Sequence, residues 1–182
     1  PKPSSAASDV YKRQILVLLQ EKSLDKISIS ELCKEAQVNR GTFYLHYQDV
    51  SELFEEYFEE ITEDLQRAYY EPYHLTDFEI EKLQPHMVRI FHHVKKFGQF
   101  YAIVFNRKTP LMYYYRLYEV IRNYLMGSLN QPDEVNQIQI EYNASYQANA
   151  IIGMVIEWIR RDMQETPEEL NKLLLKFTRS FE

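Results

Sequence analysis

Four glycines and one cysteine in 182 residues set the first limits on this chain. So little glycine leaves no room for a glycine-rich loop that cradles phosphate. Helix formers fill the long segments instead, and an all-α fold is expected. Cys33 stands alone, so no disulfide framework is possible within one chain; on the apolar side of a helical pattern it reads as a small packing residue. Long apolar runs are missing too. Ile15 to Leu19, the longest near the start, is far too short to cross a bilayer, and no hydrophobic signal core follows a basic start. A cytoplasmic protein with no membrane partner is the expectation. No nucleophile–base pair or paired catalytic carboxylates can be found, so an enzyme is not expected. His86, His92 and His93 lack a carboxylate or cysteine completing a ligand set, and adjacent helical histidines point about 100° apart, so neither a metal nor another cofactor is expected.

The chain is 45% apolar, ample for a core, and its net charge of −6 is unevenly divided. Residues 1–50 carry seven basic and six acidic side chains, and residues 51–182 fourteen and twenty-one. Much of the acidity sits in Glu52, Glu55, Glu56, Glu59, Glu60 and Glu63. Residues 1–9, PKPSSAASD, read as a disordered tail or a scar outside the fold.

Residues 28–54, SISELCKEAQVNRGTFYLHYQDVSELF, are the most specific stretch. Ser28 and Glu31 have capping-box spacing, and Ile29, Leu32, Cys33 and Ala36 follow at helical intervals. Gln37-Val38-Asn39 breaks the pattern, and Asn39 is a good N-cap for a helix beginning near Arg40. Asp49 and Glu52 form a second capping box, closing that helix near Tyr47 and opening another. Two short helices joined by a tight turn, with a third close behind, make a helix-turn-helix. Its second helix presents Arg40, Thr42, Tyr44, Leu45 and His46. Arg40 can donate to phosphate or a guanine edge, Thr42 to phosphate or base, and Leu45 offers an apolar surface to a thymine methyl. Gly41 lets the backbone approach another surface closely. Phe43 and Tyr47, four apart, are expected in the core above Val38.

Residues 27–54 resemble the DNA-binding signature of the TetR/AcrR family of bacterial transcriptional regulators. Ile29, Leu32, Ala36, Val38, Arg40-Gly41-Thr42-Phe43-Tyr44, His46-Tyr47, Leu53 and Phe54 carry the match, with Lys12 to Lys26 as a supporting first helix. The resemblance implies an N-terminal three-helix DNA-binding domain, residues 10–56, and a larger C-terminal helical domain, 57–182, for ligand sensing and dimerisation. The helix beginning at 49 would link them, running to about 70. It further implies a homodimer on a palindromic double-stranded DNA operator with half-sites about 34–36 Å apart. By position, Thr42, Tyr44 and Leu45 would meet bases, Arg40 bases or phosphate, and His46 phosphate. Ser28 would anchor a phosphate through the helix amides. One departure stands out: the family usually has a phosphate-gripping lysine just inside the helix that begins near Asp49, and this chain has Val50.

In the larger half, helical patterns run from Asp77 to Lys96 (with Pro85 as a kink or true start), from Gln99 to Val104, from Leu111 to Leu129 and from Glu141 to Met163. A last helix opens at Thr166-Pro167-Glu168-Glu169, an N-cap with proline at N1 and acids in the first turn. Ala148, Ile152, Val155, Ile156, Ile159, Leu170, Leu173, Leu174 and Phe177 are the expected dimer interface, pairing as a four-helix bundle. Phe91, Phe100, Tyr101, Phe105, Tyr114, Tyr118 and Trp158 are candidates for a pocket taking a small apolar or aromatic effector. A repressor released by such an effector is the leading expectation. The alternative is an activator whose C-terminal half binds a protein partner related to dihydroxyacetone kinase.

Overall fold

The computed structural model describes residues 6–76, 82–129 and 137–179. Among them every regular element is helical: α1 (Ala6–Glu21), a one-turn 3-10 helix (Leu24–Lys26), α2 (Ile29–Glu35), α3 (Arg40–Tyr44), α4 (Val50–Leu75), α5 (Ile90–Lys96), α6 (Gly98–Val104), α7 (Leu111–Leu129), α8 (Gln137–Arg160) and α9 (Pro167–Arg179). None of these helices is long and apolar enough to cross a membrane.

Local chemistry sets the small N-terminal bundle. Ser28 Oγ accepts the Glu31 amide at 3.2 Å, as its capping-box spacing predicts, but the Glu31 carboxylate turns away to Lys22. The α2 helix ends in a Schellman closure: the Val38 amide bonds the Cys33 carbonyl and the Gln37 amide the Lys34 carbonyl. That closure puts Gln37 at φ 54°, the left-handed region glycine usually fills. Tyr11, Ile15, Leu32, Phe43 and Leu53 pack together beneath, each fully buried. At the far end of the chain, Thr166 and Glu169 complete a reciprocal capping box before α9.

Four expectations need correction. Residues 6–9 of the supposed tail belong to α1, and Ser8 is buried against Tyr47; residues 1–5 lie outside the described residues. The α4 helix does not stop near Tyr70 but runs through buried Pro72 to Leu75. Proline there removes one amide bond in the last turns, which the packing of Leu65 and Tyr69 outweighs. The helix expected from Asp77 begins only at Ile90, its residues 77–81 lying outside the described ones. Around Pro85 the chain turns instead, and Asn171 of α9, fully buried, donates to the carbonyls of Pro85 and Val88 at 3.0 Å each. The turn therefore depends on a side chain more than eighty positions away, which periodicity cannot show. Finally, α3 ends at Tyr44, so Leu45 and His46 lie in the turn beyond it.

In the larger half, α7 and α8 lie antiparallel, joined by Tyr114 to Asn149 and Arg122 to Ser145. The α4 helix runs between the two halves. Tyr113 and Arg116 of α7 bind Glu55, the Tyr124 hydroxyl donates to the Thr62 carbonyl at 2.9 Å, and His93 of α5 bonds Asp64 at 3.0 Å.

Candidate nucleic-acid interface

The surface carried by α3 is built from its cap outward. Asn39 Oδ1 accepts the Gly41 amide at 2.7 Å, and a Cβ on Gly41 would come within 3.3 Å of that same oxygen. Phe43 is fully buried, edge-on to Tyr11 at 5.2 Å and 5.5 Å from Tyr47, and so fixes the rotation of the helix. With Phe43 inward, Arg40, Gly41, Tyr44 and Leu45 face out, Leu45 at 81% and Tyr44 at 53% exposure. Arg40 reaches toward the Tyr44 hydroxyl at 3.5 Å. Thr42 and His46 are half-buried at the margins, and Ser28 is exposed at the head of α2. The structure thus turns Arg40, Tyr44 and Leu45 out to solvent and leaves Thr42 and His46 partly covered.

Val50 explains its own departure. It is the first residue of α4 and only 5% exposed, packed into the same core as Leu53 and Phe54. An aliphatic side chain completes the bundle where a cation would have to climb out to reach solvent.

Sequence reasoning missed the polar network behind this surface. The Tyr47 hydroxyl meets Ser8 Oγ at 2.5 Å and donates to Glu56 at 2.7 Å, while Lys12, nearly buried, pairs with Glu56 and Glu60. These partners lie up to 48 positions apart, and no local pattern announces them.

The seven aromatics expected to line a pocket do not converge on one. Phe100 is buried against Phe54, Tyr57 and Phe58, and Phe91 packs edge-on to Trp158, whose indole donates to the Glu165 carbonyl. Tyr101 hydrogen-bonds His93 at 2.8 Å and stacks on Phe105, which meets Tyr114. Tyr118 packs, half-buried, on the core. Tyr101 and Phe105 border a space of about 20 Å³, and a neighbouring one of about 50 Å³ is lined by none of the seven. Aromatic side chains in this half mostly fill it.

His93 is buried between Asp64 and Tyr101. Burial pushes its imidazole down to about 4, outweighing the Asp64 carboxylate, which pulls it up. Asp64 is itself held below the usual carboxylate range: burial raises it, but bonds from Arg67, His93 and Lys96 prevail. Among the described residues, no group of three metal-ligating side chains comes together.

The expected dimer residues also divide. Ala148, Ile152, Val155 and Leu170 are buried in the chain's own core, Ile156, Ile159 and Leu174 are half-buried, and only Leu173 and Phe177 are exposed. The most regular apolar stripe of α8 packs inward, against the antiparallel α7 among others. The large apolar side chains that α8 leaves outward among the described residues are Ile138, Tyr142 and Tyr146, which sequence reading passed over. A groove of about 330 Å³ lies between Tyr146, Ala150 and Met154 on one helix and Leu174 and Phe177 on the other.

Residues 14–57 match the family profile described as bacterial regulatory proteins, tetR family, and residues 81–180 that of a transcriptional regulator C-terminal region. An uncharacterised HTH-type transcriptional regulator of Bacillus subtilis, YxbF, is 24% identical over 173 residues, 93% of this chain. The chain spans 44% of that relative's length. Among solved structures, the dihydroxyacetone kinase operon activator DhaS superposes with a TM-score of 0.64 at 18% identity, over 97% of this chain and 96% of its own. The fatty acid degradation regulator FadR of Bacillus halodurans gives 0.67 at 16% identity, over 96% and 95%. At these identities the likeness shows the fold alone.

Proposed function

Because this chain belongs to the TetR family of bacterial regulatory proteins, we propose that it works as a homodimeric repressor reading a palindromic operator through Arg40, Thr42, Tyr44, Leu45 and His46. It is a DNA-binding transcriptional regulator and not an enzyme. What carries the assignment of the reader is the exposed trio Arg40, Tyr44 and Leu45, held outward by a fully buried Phe43. A guanidinium, a phenol and a bare isobutyl group suit a guanine or phosphate, a base edge and a thymine methyl in turn. Thr42 meets a base or phosphate and His46 a phosphate at the margins, and Ser28, exposed at the head of α2, is a further phosphate anchor. The reader domain takes in α1 from Ala6 and runs to residue 56, and the domain for dimerisation and sensing follows from residue 57.

Dimerisation is assigned to the outward faces of α8 and α9, through Tyr142, Tyr146, Leu173 and Phe177. A Cβ on Gly153 would meet nothing within 4 Å, so that face has space for a partner helix. Two copies related by a two-fold would place their α3 helices in successive major grooves, about 34–36 Å apart. Release by a small apolar or aromatic effector held inside the core requires the regulatory half to expand, because the spaces there, of about 20 and 50 Å³, fall short of the roughly 300 Å³ of a ligand pocket. The outward groove between α8 and α9, at about 330 Å³, reaches that size. The walls of the smaller space, among them Leu65, Val94, Leu117 and Val155, are apolar and favour such a ligand. The likeness to DhaS concerns the fold and lends no support to a protein partner in place of an effector.

Selection of bound fragments from the host genome tests the reading. Wild-type protein should enrich a palindrome, Tyr44→Ala should lose preference for it, and Arg40→Ala should weaken binding and shallow its salt slope. Unchanged footprints for both variants would show that another surface binds. Sedimentation of Tyr146→Glu should give monomers; a wild-type monomer would remove the palindrome with the dimer.

A further inference from the structure

Two neighbouring carboxylates of α4 grip opposite halves of the molecule. Glu56 faces the reader, accepting from the Tyr47 hydroxyl at 2.7 Å and from Lys12 Nζ at 3.1 Å. Glu60, one turn on, takes the second Lys12 bond at 2.5 Å. Lys12 comes from α1 and its side chain is only 5% exposed, so its ammonium cannot leave these carboxylates without stranding a charge. The first turns of α4 and the α1 helix therefore move as one body. Tyr47 lies three residues past α3; its amide bonds the Phe43 carbonyl at 3.0 Å and its ring lies 5.5 Å from Phe43. The hydroxyl bond to Glu56 thus ties the trailing end of the reader helix to α4.

Glu55 points the other way. It accepts from the Tyr113 hydroxyl at 2.9 Å and from the Arg116 guanidinium, which lies 4.5 Å over the Phe58 ring. Successive residues of a helix stand about 100° apart, so a rotation of α4 that breaks one grip displaces the other.

We propose that Lys12, Glu56 and Tyr47 are positioning residues for the reader helix, and that the Glu55 contact with Tyr113 and Arg116 is where the regulatory half holds that position. The inference rests on the DNA-reading assignment for its consequence at an operator. The mechanical link belongs to the free protein.

Amide hydrogen exchange on the full chain tests the link without DNA. Tyr47→Phe, which removes only the hydroxyl, should speed exchange at Phe43, His46 and Tyr47 by roughly fivefold or more. Tyr113→Phe and Arg116→Met should speed the same amides, with those of Ala144 to Val155 unchanged. No change in Tyr47→Phe overturns the positioning role. Acceleration in Tyr47→Phe but not in the α7 variants overturns the link, as does acceleration of the α8 amides in step with the reader. On DNA, Tyr47→Phe should lower the ratio of operator to random-sequence affinity about tenfold, with random-sequence binding nearly unmoved. Equal loss on both DNAs also overturns positioning. If wild-type protein selects no fragment, the DNA-reading assignment fails, and the exchange rates still decide the link.

Discussion

Replacing Val50 by lysine tests whether the start of α4 faces phosphate. Val50 is the first residue of that helix and 5% exposed, so its own side chain offers DNA nothing. A lysine there would run its stem over the surface Val50 covers and lift its ammonium into solvent at the helix head. Each phosphate newly neutralised adds about 0.9 to the slope of log affinity against log salt, so a dimer gaining two contacts should steepen by about 1.8. Relative to molar salt, that is about 30-fold tighter binding at 0.15 M and about 200-fold at 0.05 M. The fold pays for it, since losing a buried valine costs roughly 1.5 kcal/mol, offset in part by the lysine stem, for a net loss of about 1 kcal/mol. Fluorescence anisotropy on the selected operator over 50–200 mM salt reads the slope, and urea unfolding reads the stability. An unchanged slope would show that the head of α4 does not face the backbone. A change of about 0.9 would mean one contact per complex and would refute the symmetric dimer.

Gln37→Gly relieves the left-handed φ of 54° in the turn of the motif. That strain is roughly 1–2 kcal/mol against about 0.5–1 kcal/mol of extra chain entropy lost, so the urea midpoint should rise by the equivalent of about 0.5 kcal/mol or more, and a fall would show that the Gln37 side chain contributes. His93 titrates near 4 in the folded protein because it is buried, against 6.5 for the free group. The unfolded chain therefore takes up that proton first, and stability should fall as pH drops from about 6.5 toward 4, by up to about 3 kcal/mol. In His93→Gln, melting curves across that window should flatten by up to one proton's slope; an identical slope would remove His93 as the source. Glu56→Leu with Glu60→Leu strands the Lys12 ammonium and should cost about 3–5 kcal/mol, whereas Lys12→Met leaves two carboxylates, each a third or more exposed, free to rehydrate at about 1 kcal/mol. Equal losses in chemical unfolding would mean the ammonium is not held by these two groups.

The sequence by itself determined the helical class, both helix-turn-helix caps and the outward set Arg40, Tyr44 and Leu45. These rest on interactions reaching no more than four residues along the chain: Ser28 to the Glu31 amide, Asn39 to the Gly41 amide, Phe43 and Tyr47 on one side. Local chemistry of that range is visible in spacing. Tertiary structure alone decided the rest. An apolar stripe is the same string of residues whether it meets its own core or a second copy, and only packing sent Ala148, Ile152 and Val155 inward and left Tyr142 and Tyr146 out. The aromatics of the larger half likewise read as a pocket until their neighbours filled it. The turn at Pro85 waited on Asn171, and the reader's attachment to α4 waited on Lys12 finding Glu56 and Glu60. Contacts across such separations leave no periodic trace, because their energy depends on where the folded chain brings the two ends together.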